Sequence, residues 1–158
     1  MQRAALLDRG LHRRLVDGLY VEAMVMADEA RTYFDSSAAT EEGGDPLRRV
    51  AFACESLKVT TRLMHVIAWL LSQRAWQRGE IGDADLADEK YRLGRAAQSD
   101  PDLAASFAFA ARALIEGSQE LYERVARLQE RMDVMLGETP MPDISPARAL
   151  LDRLNQAF

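Results

Sequence analysis

Acid–base or metal chemistry in this chain would have to come from two histidines, a single cysteine and its carboxylates. His12 and His65 stand far apart, and neither belongs to a ligand pattern. No Glu-x-x-His or His-x-x-x-His occurs, the spacings that set two metal ligands on one helix face. Cys54 has no partner at zinc-ligand spacing, and it sits on an apolar helical stripe, where a free thiol ordinarily behaves as a small buried hydrophobe. The glycines form no phosphate-cradling loop, and no serine stands in a nucleophile elbow. The sequence therefore predicts no catalytic residue, no metal and no cofactor, and so a protein that is not an enzyme.

Three residues stand out for binding instead. Glu55 and Arg62 lie two turns apart on the most apolar helix of the chain, where a charge must be paired or reach water. Each either fixes register by pairing with a neighbouring helix or meets a partner protein. Lys58 and Arg62, like charges one turn apart, need an acidic group between them. Trp69 and Trp76 share one helix face. Trp69 reads as core, whereas Trp76, beside Gln73, Gln77 and Arg78, reads as a surface anchor for a partner.

Those residues must be positioned by long helices. The first is predicted over about Ala4–Asp35, with apolar positions Leu7, Leu11, Leu15, Leu19, Ala23, Met26, Ala30 and Tyr33 spaced by threes and fours. A polar, Gly-containing stretch from Ser36 to Gly44 reads as a loop. Asp45 then caps a second helix with Pro46 at its first position. Its main stripe is Leu47, Val50, Cys54, Leu57, Thr61, Met64, Ala68, Leu71 and Ala75. A second stripe (Ala53, Ser56, Thr60, Leu63, Ile67, Leu70), with Val59, Val66 and Trp69 elsewhere, makes the helix apolar on most sides. That pattern predicts a helix enclosed by its neighbours, ending at Arg78–Gly79.

An acidic connection over 80–101 carries a short helix capped by Asp83. The third long helix follows Ser99–Asp100–Pro101, with a seam of Phe107, Ala111, Leu114, Ser118, Leu121, Val125, Leu128, Met132 and Met135, closed by Gly137. Phe107 and Phe109 point to different sides. After the prolines of 138–142, Ser145–Pro146 starts a short amphipathic helix presenting Leu150, Leu154 and Phe158, further candidate partner-binding residues. The expected fold is all-α: an elongated antiparallel three-helix bundle (1–137) with a short connecting helix, and a tail (138–158) with a short C-terminal helix.

Bulk properties narrow the partners. A net charge of −5 and a pI near 5.1 provide no basic field for nucleic acid. The longest apolar run, Leu63–Leu71, is far shorter than the ~20 residues of a membrane span. Early charges at Arg3, Asp8 and Arg9 argue against a signal peptide. With one cysteine, the expectation is a cytoplasmic protein.

The segment Glu55–Ser56–Leu57–Lys58–Val59–Thr60–Thr61–Arg62–Leu63–Met64, continuing through Ala68–Trp69–Leu70–Leu71 and Gln73–Arg74–Ala75 to Gly79–Glu80, resembles the regulator of CtrA degradation (RcdA) family of alphaproteobacteria. Tyr33–Phe34–Asp35 upstream and Ser118, Leu121, Tyr122, Arg124, Val125 and Leu128 downstream are similar in pattern. The resemblance implies a three-helix bundle that forms a homodimer. It implies an adaptor that helps the ClpX unfoldase and ClpP protease destroy cell-cycle regulators such as CtrA, with the C-terminal tail contacting cargo. A homodimeric interaction module with no protease role is the alternative.

Overall fold

The computed structural model describes residues 2–41 and 45–137, with side-chain surroundings given for 9–37 and 45–137. Five helices and a 3-10 turn follow one another: α1 (Gln2–Glu41), α2 (Pro46–Gln77), α3 (Asp83–Leu86), the turn Glu89–Tyr91, α4 (Pro101–Ser106) and α5 (Phe109–Gly137). No strand occurs among the described residues, and the protein is an all-α bundle. The chain divides into compact units at Met1–Arg127 and Leu128–Phe158. Of the second, only the last turns of α5 are described. The predicted C-terminal helix, with Leu150, Leu154 and Phe158, lies outside the described residues.

Local chemistry sets the helix ends. Asp45 accepts the Leu47 amide at 3.2 Å, and Pro46 occupies a position whose N–H would have had no partner. At the other end of α2, Gly79 adopts φ 75°. Its amide donates to the Trp76 carbonyl, and the Glu80 amide reaches back to Ala75, both at 3.0 Å. That is the paired closure a left-handed glycine makes possible. Asp100 caps α4 through the Asp102 amide at 2.9 Å. Asp83, expected as a cap, is instead the first residue of α3; the Asp85 carboxylate takes the Gly82 amide at 2.7 Å.

α1 runs longer than predicted, through Glu41, because Ser36 returns its hydroxyl to the carbonyls of Thr32 and Tyr33 rather than ending the helix. The third predicted helix is broken. Phe107 takes extended angles, which separates α4 from α5 and turns its ring inward against Phe52, 5.9 Å between centroids. The Arg48 guanidinium lies 5.1 Å over that ring and donates to the Ser106 carbonyl at 3.0 Å. Phe109 is left exposed.

Cross-helix contacts give the directions. His12 meets Gln73, Tyr20 lies under Arg74 and Phe34 meets Phe52, so α1 and α2 are antiparallel. Between α2 and the third long segment the partners rise together: Arg48 with Ser106, Phe52 with Phe107, Arg62 with Ser118. Thus α5 runs parallel to α2, and antiparallel to α1, where Glu22 pairs with Arg124 and Met26 lies at Gly117. The wholly antiparallel arrangement expected from the seams is corrected in this one respect. The physical reason is the connection: after α3 and the 3-10 turn, residues 93–100 carry no helix and run back along α2, so the chain re-enters beside the start of that helix.

Candidate interaction surface

The core side of α2 is made by Phe52, Val59, Leu63, Val66, Trp69 and Leu70, all buried, together with the polar Glu55, Arg62 and Gln73. Each buried Leu or Val of this kind contributes about 1.5–3 kcal/mol. Facing them are Val16, Leu19, Ala23 and Ala30 of α1 and Phe107, Ala111, Leu114, Ile115, Leu121 and Val125 further on. The seam read for the third helix matches the interior at most positions. On α1 the expectation holds at Leu19, Ala23 and Ala30 but fails at Leu11 and Leu15, which are exposed while His12 and Val16 turn inward.

Glu55 and Arg62 occupy the interior, 1% and 0% exposed. Arg62 donates from Nε to the Ser118 hydroxyl at 3.1 Å. Its Nη1 reaches the Ala97 carbonyl, the Ser99 hydroxyl and Gln119 Oε1, each at 3.0 Å. Nη2 is buried without a hydrogen-bond partner among the described residues. Burial pushes the guanidinium below its ordinary pKa, and the charge of Glu55 pulls the other way. Glu55 accepts from Ser99 at 2.6 Å and from Lys58 at 3.0 Å. The acidic group required near Lys58 and Arg62 is therefore intramolecular. These bonds fasten the returning strand of chain to α2 and α5. Next to them the Tyr122 hydroxyl donates to the Gly94 carbonyl at 2.6 Å, and a Cβ at Gly94 would collide with the His65 ring. Ser118 was read on the third helix's seam and Ser99 at that helix's start, but neither as a partner of Arg62 or Glu55; Gln119 had no distinguishing sequence signal.

Trp69 is core, as expected. Trp76 is half-buried at the end of α2. Its indole N–H donates to Asp83 at 2.7 Å, and its ring meets His12 edge-on at 5.9 Å. His12 is bonded to Gln73 at 3.3 Å, and desolvation lowers its pKa. Beside Trp76 lies a cleft of about 570 Å³.

The main α2 stripe is not enclosed. Leu47, Val50, Leu57, Met64 and Leu71 are 79%, 61%, 66%, 66% and 47% exposed, and Cys54 and Ala68 are exposed too. A helix has two opposite sides, and α1 and α5 both pack on the side of Phe52, Val59 and Val66. The row from Leu47 to Ala75 is left facing outward for about 42 Å at 1.5 Å per residue. This corrects the expectation of an enclosed helix. The signal was present: the bulkiest residues, Phe52 and Trp69, lie opposite this row, and only one side of α2 is needed to close a three-helix core. A contiguous exposed apolar row of this length is the kind of surface that interaction sites use. Among the described residues no helix is long and apolar enough to cross a membrane.

Residues 7–158 match DUF1465, a family described as a protein of unknown function. The chain belongs to this family. The crystal structure of RcdA from Caulobacter crescentus CB15 is similar, with 30% identity, a TM-score of 0.61, and coverage of 82% of this chain and 96% of that one. The family resemblance read from the Glu55–Leu71 segment is thereby established. No curated protein sequence matches the chain.

Proposed function

We propose that this protein is a non-enzymatic, cytoplasmic adaptor that acts as a homodimer and promotes delivery of regulatory proteins, CtrA-like response regulators among them, to a ClpXP-type unfoldase–protease. The adaptor half of this reading is supported by the similarity to RcdA. The interaction half is carried by one observation, the exposed apolar row of α2.

A second copy is the occupant this row fits. Its threes and fours alternate about Thr61, so the reversed row matches the forward one to within one residue. An antiparallel copy sets Leu57 against Met64, Val50 against Leu71 and Cys54 against Ala68, so large faces large and small faces small. The flanking positions are mostly neutral, with Ala53, Thr60 and Ile67 along one side and Ala51, His65 and Ser72 along the other. Lys58 is already held by Glu55. Two copies can therefore close without opposing like charges, in the self-complementary manner of a two-fold interface.

The test combines light scattering with a pull-down using ClpX and a CtrA-like response regulator. Dimer mass and retention of both proteins are expected. A folded dimer that retains neither would leave only an interaction module with no protease role, and a monomer would remove the dimer as well.

A further inference from the structure

We propose that the cleft at the junction of α1, α2 and α3 is a second binding site, one that takes an acidic peptide segment with apolar neighbours. It is separate from the exposed row of α2 and stands whether or not the protease link does.

Arg9 and Arg13 line one wall, one helical turn apart on α1, and Trp76, Ile81 and Asp83 line the other. The volume, about 570 Å³, lies in the range of small-ligand and short-peptide pockets. Both arginines are exposed, and neither has a hydrogen bond or ion pair among the described residues. Two like charges at this spacing repel each other, and a bound carboxylate would relieve that repulsion. In a chain with net charge −5, such a pair of unanswered guanidinium groups is a local reversal of sign. Gln77, also lining the cleft, has a buried Nε2 with no acceptor among the described residues.

The apolar part of the ligand is set by Trp76 and Ile81. The indole is fixed in place by its bond to Asp83 and by the edge of His12, so it offers a surface that need not be ordered on binding. Asp83 also selects among anions. Its carboxylate sits within the cleft, where it would repel the dense charge of a phosphate ester. A peptide brings isolated carboxylates together with backbone N–H donors that the free oxygen of Asp83 can accept.

The probe is a fluorescently labelled octapeptide alternating Asp and Leu, compared with its Asn–Leu isostere and with ATP as a phosphate-bearing competitor. The Asp peptide is expected to bind with a change in tryptophan emission that Trp76→Phe removes. Arg9→Gln together with Arg13→Gln should weaken it by at least about tenfold, and the Asn isostere should be weaker by a similar factor. Equal binding of the two peptides, or no loss in the double variant, would overturn the site. Displacement by ATP at lower concentration than by unlabelled peptide would overturn the ligand class.

Discussion

At the scale of single residues, Arg62 is the most consequential side chain in the molecule. It joins three pieces of chain through one guanidinium, so Arg62→Ala should cost about 3–5 kcal/mol, the range for breaking a buried charged network from one side. Urea denaturation measures this; a loss below about 1 kcal/mol would mean that the network is solvated. Leu63→Ala or Leu70→Ala should cost about 2–5 kcal/mol by opening a cavity, since both are buried. His12 gives a pH signature. Its folded pKa is lowered from the ordinary 6.5, so the unfolded chain takes up a proton first as pH falls. Its contribution is complete above pH 6.5 and is lost progressively below it, down through the folded value. Thermal melts should drop over that window, and His12→Gln should flatten the slope. Arg62 and Glu55 were visible in the sequence as charges in an apolar setting. Their pairing was not: Ser118 stood on the third helix's seam, but nothing in its spacing joined it to Arg62, and Gln119 carried no periodic signal at all.

At the scale of elements, α2 separates what the sequence could say from what it could not. Its ends, its length and both of its apolar stripes were readable from Asp45–Pro46, from Gly79 and from residue spacing. Neither stripe as read is the inner side, since the main one is exposed and of the second only Leu63 and Leu70 are buried. Hydropathy is blind to whether the covering surface belongs to the same chain, and only the bulk of Phe52 and Trp69 marked the side that closes the core. The exposed row makes a sharp prediction about register. In the antiparallel pairing about Thr61, Ala68→Cys places a thiol opposite the native Cys54 of the other copy. Mild oxidation should then give a covalent dimer on a non-reducing gel, whereas the unaltered protein, whose Cys54 faces Ala68, gives none. A monomeric band from the variant would rule out this register. Leu57→Asp with Met64→Asp should yield a folded monomer by light scattering, with stability within about 0.5 kcal/mol of the parent monomer's, as for exposed positions. The returning segment holds a second constraint. Gly94→Ala, with no room against His65, should lower the melting temperature while leaving helicity by circular dichroism intact.

At the scale of the whole molecule, the all-α class followed from helix formers, caps and periodicity, and the family followed from a short segment of α2. The direction of α5 did not. A seam of alternating threes and fours reads the same from either end, and only the 78–100 connection, too irregular for pattern reading, decides it. The functional reading follows the same division. Membership of the family and similarity to RcdA set the kinship from sequence, while the surfaces on which the proposed adaptor role rests emerge from which apolar groups the bundle leaves outside.

The returning connection also orders events in time. Antiparallel α1 and α2 are adjacent in the chain and can meet as soon as both leave the ribosome, but the inner side of α2 waits until α5 arrives after more than twenty further residues. Throughout that interval the outward row of α2 and the part of its inner side that α5 will cover are bare, and the helix hairpin resembles a species prone to sticking to its own kind. Glu55 and Arg62 then stand on the unfinished side as charged gatekeepers that discourage premature association, and they are absorbed into the interior only when Ser99, Ser118 and Gln119 come to meet them.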